Sequence, residues 1–103
     1  LKKKGIMKNL EAVQKLAMDL RKGEPRSPAE ELGGFAKAAR CVDKCRATLV
    51  GQEGEFIFGC PMDRGFLEKA GVGVEEFRQF VATGATDAEV DAWLRNRGAA
   101  QNR

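Results

Sequence analysis

The densest chemistry in the chain lies on one stretch, FAKAARCVDKCRATLV, residues 35–50. Arg40, Asp43 and Arg46 stand three residues apart. On a helix that spacing lets Asp43 reach a guanidinium on either side. Arg46 falls about 60° from the middle of an apolar stripe, so its charge needs a partner. Asp43 or Asp63 would supply one within an internal ion network. The functional alternative is a pocket whose arginines bind an anionic ligand, because guanidinium groups recognise carboxylate and phosphate in two-pronged fashion.

Gly33-Gly34 sharpens the anion idea, with Arg26 and Lys37 near it in sequence. Glycines ahead of a helix N-terminus leave N–H groups free, and the helix dipole favours negative charge there. The plainer reading is a tight bend against a neighbouring helix. Cys60 is the candidate nucleophile: it precedes Pro61 at an expected helix start, with Arg64 four residues on. Both features lower a thiol pKa, and Asp63 opposes them. The alternative for Cys60 is a half-buried thiol against Phe56 or Phe58. Glu55 and Asp63 flank it, but loop spacing fixes no acid–base geometry.

One absence narrows the field. The chain has no His, which excludes Ser-His and Cys-His nucleophile pairs and imidazole metal sites within one chain. Cys41, Cys45 and Cys60 offer three sulfurs, one short of a structural zinc site and without the usual knuckle spacing. No metal and no cofactor are expected. An odd number of thiols without paired spacing points to a reducing cytoplasm.

These residues need elements to hold them. In 35–50, Phe35, Ala38, Val42, Cys45 and Leu49 form one stripe at helical period, opposite Lys37, Arg40 and Lys44. Such a helix must be covered by others, so it is read as the central one. Before it, Asn9 caps a helix over 10–22 with Leu10, Val13, Leu16, Ala17 and Leu20 as its face and Gly23 as its stop. Ser27-Pro28-Ala29-Glu30 is a helix-start pattern that Gly33-Gly34 interrupts. After it, residues 55–59 alternate as an extended segment with no second strand to pair. Further helices follow over 62–70, 74–83 and 87–97, the last opened by a Thr86–Glu89 capping box.

The expected fold is therefore all-α: one compact domain of five or six short helices around a central helix at about 35–50, with at most one extended segment near 55–59. Residues 1–8 read as a basic tail, 9–97 as the domain and 98–103 as a C-terminal tail. The 103 residues make one domain, and 43% apolar with 32% charged residues is a globular balance. No apolar run approaches the roughly 18 residues of a membrane span. A net charge of +3, carried mainly at the two ends, lacks the dense stripe of a nucleic-acid binder.

The chain resembles a family of small bacterial proteins catalogued as a domain of unknown function. The resemblance is carried by Asp19-Leu20, Pro25-Arg26-Ser27-Pro28, Leu32-Gly33-Gly34, Ala39–Ala47, Gly54-Glu55-Phe56, Cys60-Pro61-Met62-Asp63 and Asp87–Trp93. It departs from that pattern at Cys41 and Cys45, where apolar or small residues are usual. It implies a fold and no activity.

The residues taken together suggest a helical binding or interaction module. Its ligand-binding set would be Arg26, Gly33, Gly34, Arg40, Asp43, Arg46 and Asp63, its partner a small anionic ligand or a protein. The other readings are a thiol enzyme or redox sensor at Cys60, and a nucleic-acid accessory using the basic ends.

Overall fold

The computed structural model describes the backbone of residues 8–101 and the side chains of residues 8–97. Five helices and one small hairpin follow in the order α1 (Leu10–Leu16), β1 (Glu31–Leu32), β2 (Phe35–Ala36), α2 (Ala38–Leu49), α3 (Pro61–Ala70), α4 (Val74–Ala82) and α5 (Asp87–Gln101). The fold is mostly helical, as the periodicity requires.

Helix α2 is the centre. Residues 38, 39 and 41–47 are all buried, and the helix meets α1, β1, α3 and α4. Ala38, Val42 and Cys45 from the expected stripe are fully buried, and Cys41 joins them. Phe77 of α4 fills the middle of the core. Its ring lies 6.0 Å from both Phe58 and Phe66 and 6.3 Å from Trp93. Burying one such ring stabilises by roughly 1.5–3 kcal/mol.

Three local expectations are corrected. Helix α1 stops at Leu16 instead of running to Lys22, because Asp19 bonds its own surroundings. Its carboxylate accepts from the Arg21 N–H, and its carbonyl accepts from Lys22 and Gly23. That local alternative to the helical ladder suits an aspartate. It frees Leu20, now buried, to donate its N–H to the Gln52 carbonyl.

The helix-start pattern at Ser27 yields only a turn, in which Ser27 Oγ accepts from Ala29 N. The chain then forms the antiparallel pair Glu31–Ala36 and Leu32–Phe35. Gly33 and Gly34, at φ 63° and 85°, make its two-residue turn. Two successive positive φ values match the twist of a hairpin and suit glycine. Phe35 therefore belongs to β2, not to the central helix, yet still packs on Phe66 at 5.8 Å.

The extended pair is thus at 31–36, while residues 55–59 form no strand and carry turns at 55 and 58–59. The bounds of α3 and α4 and the start of α5 follow the sequence signals, whereas α5 runs past its expected end at Arg97. Pro61 occupies the first turn of α3, and Gly71 closes it at φ 73°. The Thr86–Glu89 box is reciprocal, with bonds of 2.8 and 3.2 Å. Helix α5 continues past Gly98 to Gln101. Most of the expected basic tail, residues 1–7, lies outside the described residues.

Candidate functional site

Two ion clusters flank α2, one on each side of the adjacent residues Asp43 and Lys44. Neighbouring helix positions diverge by about 100°, so a single helix feeds both.

The first cluster joins Arg26, Asp43, Arg46 and Asp87. Arg26 leaves the loop after α1 and grips Asp43 twice through its side chain, Nη2 at 2.9 Å and Nε at 3.0 Å, and once through its backbone N–H at 2.8 Å. Its Nη1 donates to Asp87 at 2.8 Å. Arg46 reaches the same Asp87 through Nη2 at 3.1 Å and donates to the Ala85 carbonyl at 3.0 Å. Arg40 stands outside the ion pairs. Its Nη1 donates to the Arg26 carbonyl at 3.1 Å, and its guanidinium covers the Phe56 ring. It holds the Arg26 loop in place.

The helical spacing predicts Asp43 bonding Arg40 or Arg46, and Asp43 or Asp63 neutralising Arg46. Neither arrangement occurs. Asp43 is saturated by Arg26, and Arg46 is paired by Asp87 instead. The charges balance, two arginines against two aspartates. They are unequally buried: the Asp43 side chain is 3% exposed and that of Asp87 is 44%.

Burial alone would raise the Asp87 pKa, but hydrogen bonds from Arg26 and the charges of both arginines hold it below the ordinary 3.8. Burial likewise disfavours the Arg26 cation. Its bonds to Asp43 and Asp87 more than offset that and raise its pKa.

These four residues form one wall of an open cleft of about 400 Å³, completed by Leu16 and Met18. The wall has one unmet group. Arg46 is 4% exposed, and its Nε is buried with no hydrogen-bond partner. A buried donor left unpaired costs about 1–3 kcal/mol.

The second cluster lies under α3. Lys44 Nζ sits 3.1 Å from Asp63 Oδ2 and donates toward Cys60 Sγ at 3.3 Å. Asp63 also accepts from the Gly59 N–H at 2.9 Å. Cys60 is half-buried at the N-cap of α3, with no side-chain capping bond. Asp63 and Cys60 thus stand apart from the arginine cleft rather than within it.

Gly33 and Gly34 are also outside the cleft. The Gly33 N–H donates to Asp91 at 2.9 Å, and a Cβ on Gly33 would fall 2.6 Å from Leu94 Cβ. That contact is the bend against a neighbouring helix. The Gly33 N–H is committed to Asp91, so it is not free for an anion.

Sequence reasoning missed two members, Asp87 and Lys44. By sequence, Asp87 belongs to the Thr86–Glu89 capping box and Lys44 falls opposite the apolar stripe of α2. A usable signal lay in the quoted motifs. Pro25–Pro28, Ala39–Ala47 and Asp87–Trp93 each give the arginine cluster a member, while Ala39–Ala47 and Cys60–Asp63 supply the other cluster. Among the described residues, no group of three or more His, Cys, Asp or Glu side chains is placed to hold a metal ion. No described helix is long and apolar enough to cross a membrane.

Fold and clusters define a small, mostly helical domain with a buried central helix and an ionic cleft. Residues 22–103 match the DUF5069 family, a domain of unknown function, and the chain belongs to that family. A search of curated proteins finds no match.

Proposed function

We propose that the protein is a small binding module whose ligand site is the cleft of Arg26, Asp43, Arg46 and Asp87, and that its ligand is anionic. The observation that carries this reading is the Arg46 Nε, a buried and unpartnered donor in the wall of an open cleft. A closed structural network would be expected to satisfy that donor internally. Two guanidinium groups already held in place by Asp43 and Ala85 are preorganised, which lowers the entropy cost of binding.

The test is thermal shift against phosphate, sulfate and carboxylate salts. The wild type gains melting temperature with at least one anion, Arg26→Gln loses the gain, and Arg78→Ala, on α4 and outside the cleft wall, keeps it. No shift from any anion retires the reading.

A second reading, a thiol-dependent activity at Cys60, has one observation in its favour. Lys44 Nζ donates toward Sγ at 3.3 Å, which places a side-chain cation beside the sulfur. Asp63 draws on the same ammonium. Alkylation of native protein at neutral pH decides it, since a Cys60 that reacts no faster than free cysteine ends the proposal. The nucleic-acid reading depends chiefly on the basic ends, and residues 1–7 lie outside the described structure.

A further inference from the structure

We infer that Asp87 is an internal stand-in for the ligand, and that the ligand is a small aliphatic monocarboxylate whose carboxylate takes the place of the Asp87 side chain. The inference rests on the binding reading above and specifies the ligand and its mode of entry.

Three observations meet here. First, the two aspartates are not equivalent. Asp43 is buried and accepts from three nitrogens of Arg26. Asp87 is the rim residue, its side chain 44% exposed, at the first turn of α5. It can swing into water while Asp43 stays. Second, Asp87 sits in a carboxylate-shaped set of cationic groups: Arg26 donates Nη1 at 2.8 Å to one oxygen and Nη2 at 3.3 Å to the other, which Arg46 Nη2 also meets as an ion pair at 3.1 Å. A ligand carboxylate exchanged for it conserves charge and hydrogen bonds. Third, the rest of the cleft is apolar. Leu16 and Met18 line it and remain 37% and 38% exposed. An aliphatic body attached to the carboxylate would cover them, whereas inorganic phosphate would leave them in water.

Displacement has a distinctive consequence. Removing the Asp87 charge takes away the competitor and leaves two arginines against one aspartate, so the ligand binds more tightly. Most substitutions of site residues weaken binding; this one strengthens it.

The experiment titrates hexanoate and inorganic phosphate into the folded wild-type chain, Asp87→Asn, Asp87→Ser and Met18→Gln by calorimetry, with circular dichroism as the fold check. Expected is hexanoate affinity higher by about tenfold or more in both Asp87 variants, since each tenfold is about 1.4 kcal/mol of lost competition. Met18→Gln weakens hexanoate and leaves phosphate unchanged. N-Acetyl-leucine, run in parallel, separates a free short-chain acid from a peptide carboxyl terminus.

In the wild type, the Asp87 carboxyl carbon resonance moves on hexanoate addition. That readout stands even if both Asp87 variants fail to fold. Anion binding without the gain in the Asp87 variants, or with a stationary Asp87 resonance, overturns the displacement and leaves the cleft reading intact. No binding of either anion to any variant overturns both.

Discussion

Lys44 and Asp63 form an ion pair at 3.1 Å inside the domain, their side chains 6% and 1% exposed. Such a pair is weak evidence of net stabilisation but costly to break on one side, because the survivor is a buried, unmatched charge. Lys44→Met or Asp63→Leu alone is expected to destabilise by about 3–5 kcal/mol. The double substitution should cost much less than the sum, since it leaves no charge behind. Urea unfolding of the four chains completes the cycle; strictly additive losses would show that the pair is not coupled.

Asp87 ties stability to pH. Its folded pKa lies below the ordinary 3.8. A depressed carboxylate contributes stability above the unfolded pKa and loses it as pH falls through the folded one. The wild type should therefore weaken progressively below about pH 4. Asp87→Asn should be less stable at neutral pH and show a shallower acid slope. Melting temperatures of both chains from pH 7 to pH 2.5 check this, and parallel curves would contradict it. Asp19 and Asp91, also depressed, set the slope that remains.

Gly33 and Gly34 should separate sharply despite being neighbours at similar φ. Alanine at either position meets left-handed backbone, at about 1–2 kcal/mol. Only at Gly33 does the new Cβ also strike Leu94 Cβ, at 2.6 Å; at Gly34 the nearest atom is the end of Arg95 at 3.8 Å. The overpacking adds about 1–3 kcal/mol. Gly33→Ala is thus expected to cost about 2–5 kcal/mol and Gly34→Ala about 1–2. Equal losses in denaturant melts would mean that the α5 contact does not constrain the turn.

The parts of the fold that were legible are those that local chemistry decides alone. Pro61 and Gly71 bracket α3, Thr86 and Glu89 start α5, and the period of residues 35–50 marks a core helix, though its first residues go to the hairpin. What was not legible depended on competition between local and distant partners. Asp19 ends α1 by bonding its own turn, yet Leu20 settles there because the Gln52 carbonyl lies across from it. Ser27 and Pro28 signal a helix, but the glycine pair three residues after Glu30 closes a hairpin instead. In the site, the sequence names Arg26, Asp43 and Arg46 as one polar set, and the fold brings the three side chains to one cleft. Asp87, the partner that Arg26 and Arg46 share, is 61 residues from Arg26, and no helical spacing could have linked them.

The three thiols should behave as two classes. Cys41 and Cys45 are fully buried on α2. Burial pushes the Cys45 thiol up to about 12, and burial with the nearby Asp63 carboxylate pushes Cys41 up as well. A thiol reacts as its thiolate, so both should be inert to iodoacetamide at pH 8 while the domain is folded. Cys60, half-buried at the head of α3, is the one that such a reagent can meet. Mass spectrometry should find one adduct, on Cys60, in native protein and three in guanidinium. Modification of Cys41 or Cys45 at the rate seen for Cys60 would mean that α2 is not covered as tightly as its burial implies. Because those two sulfurs lie on the central helix, the same assay at rising urea reports its uncovering, and their labelling should begin only with global unfolding.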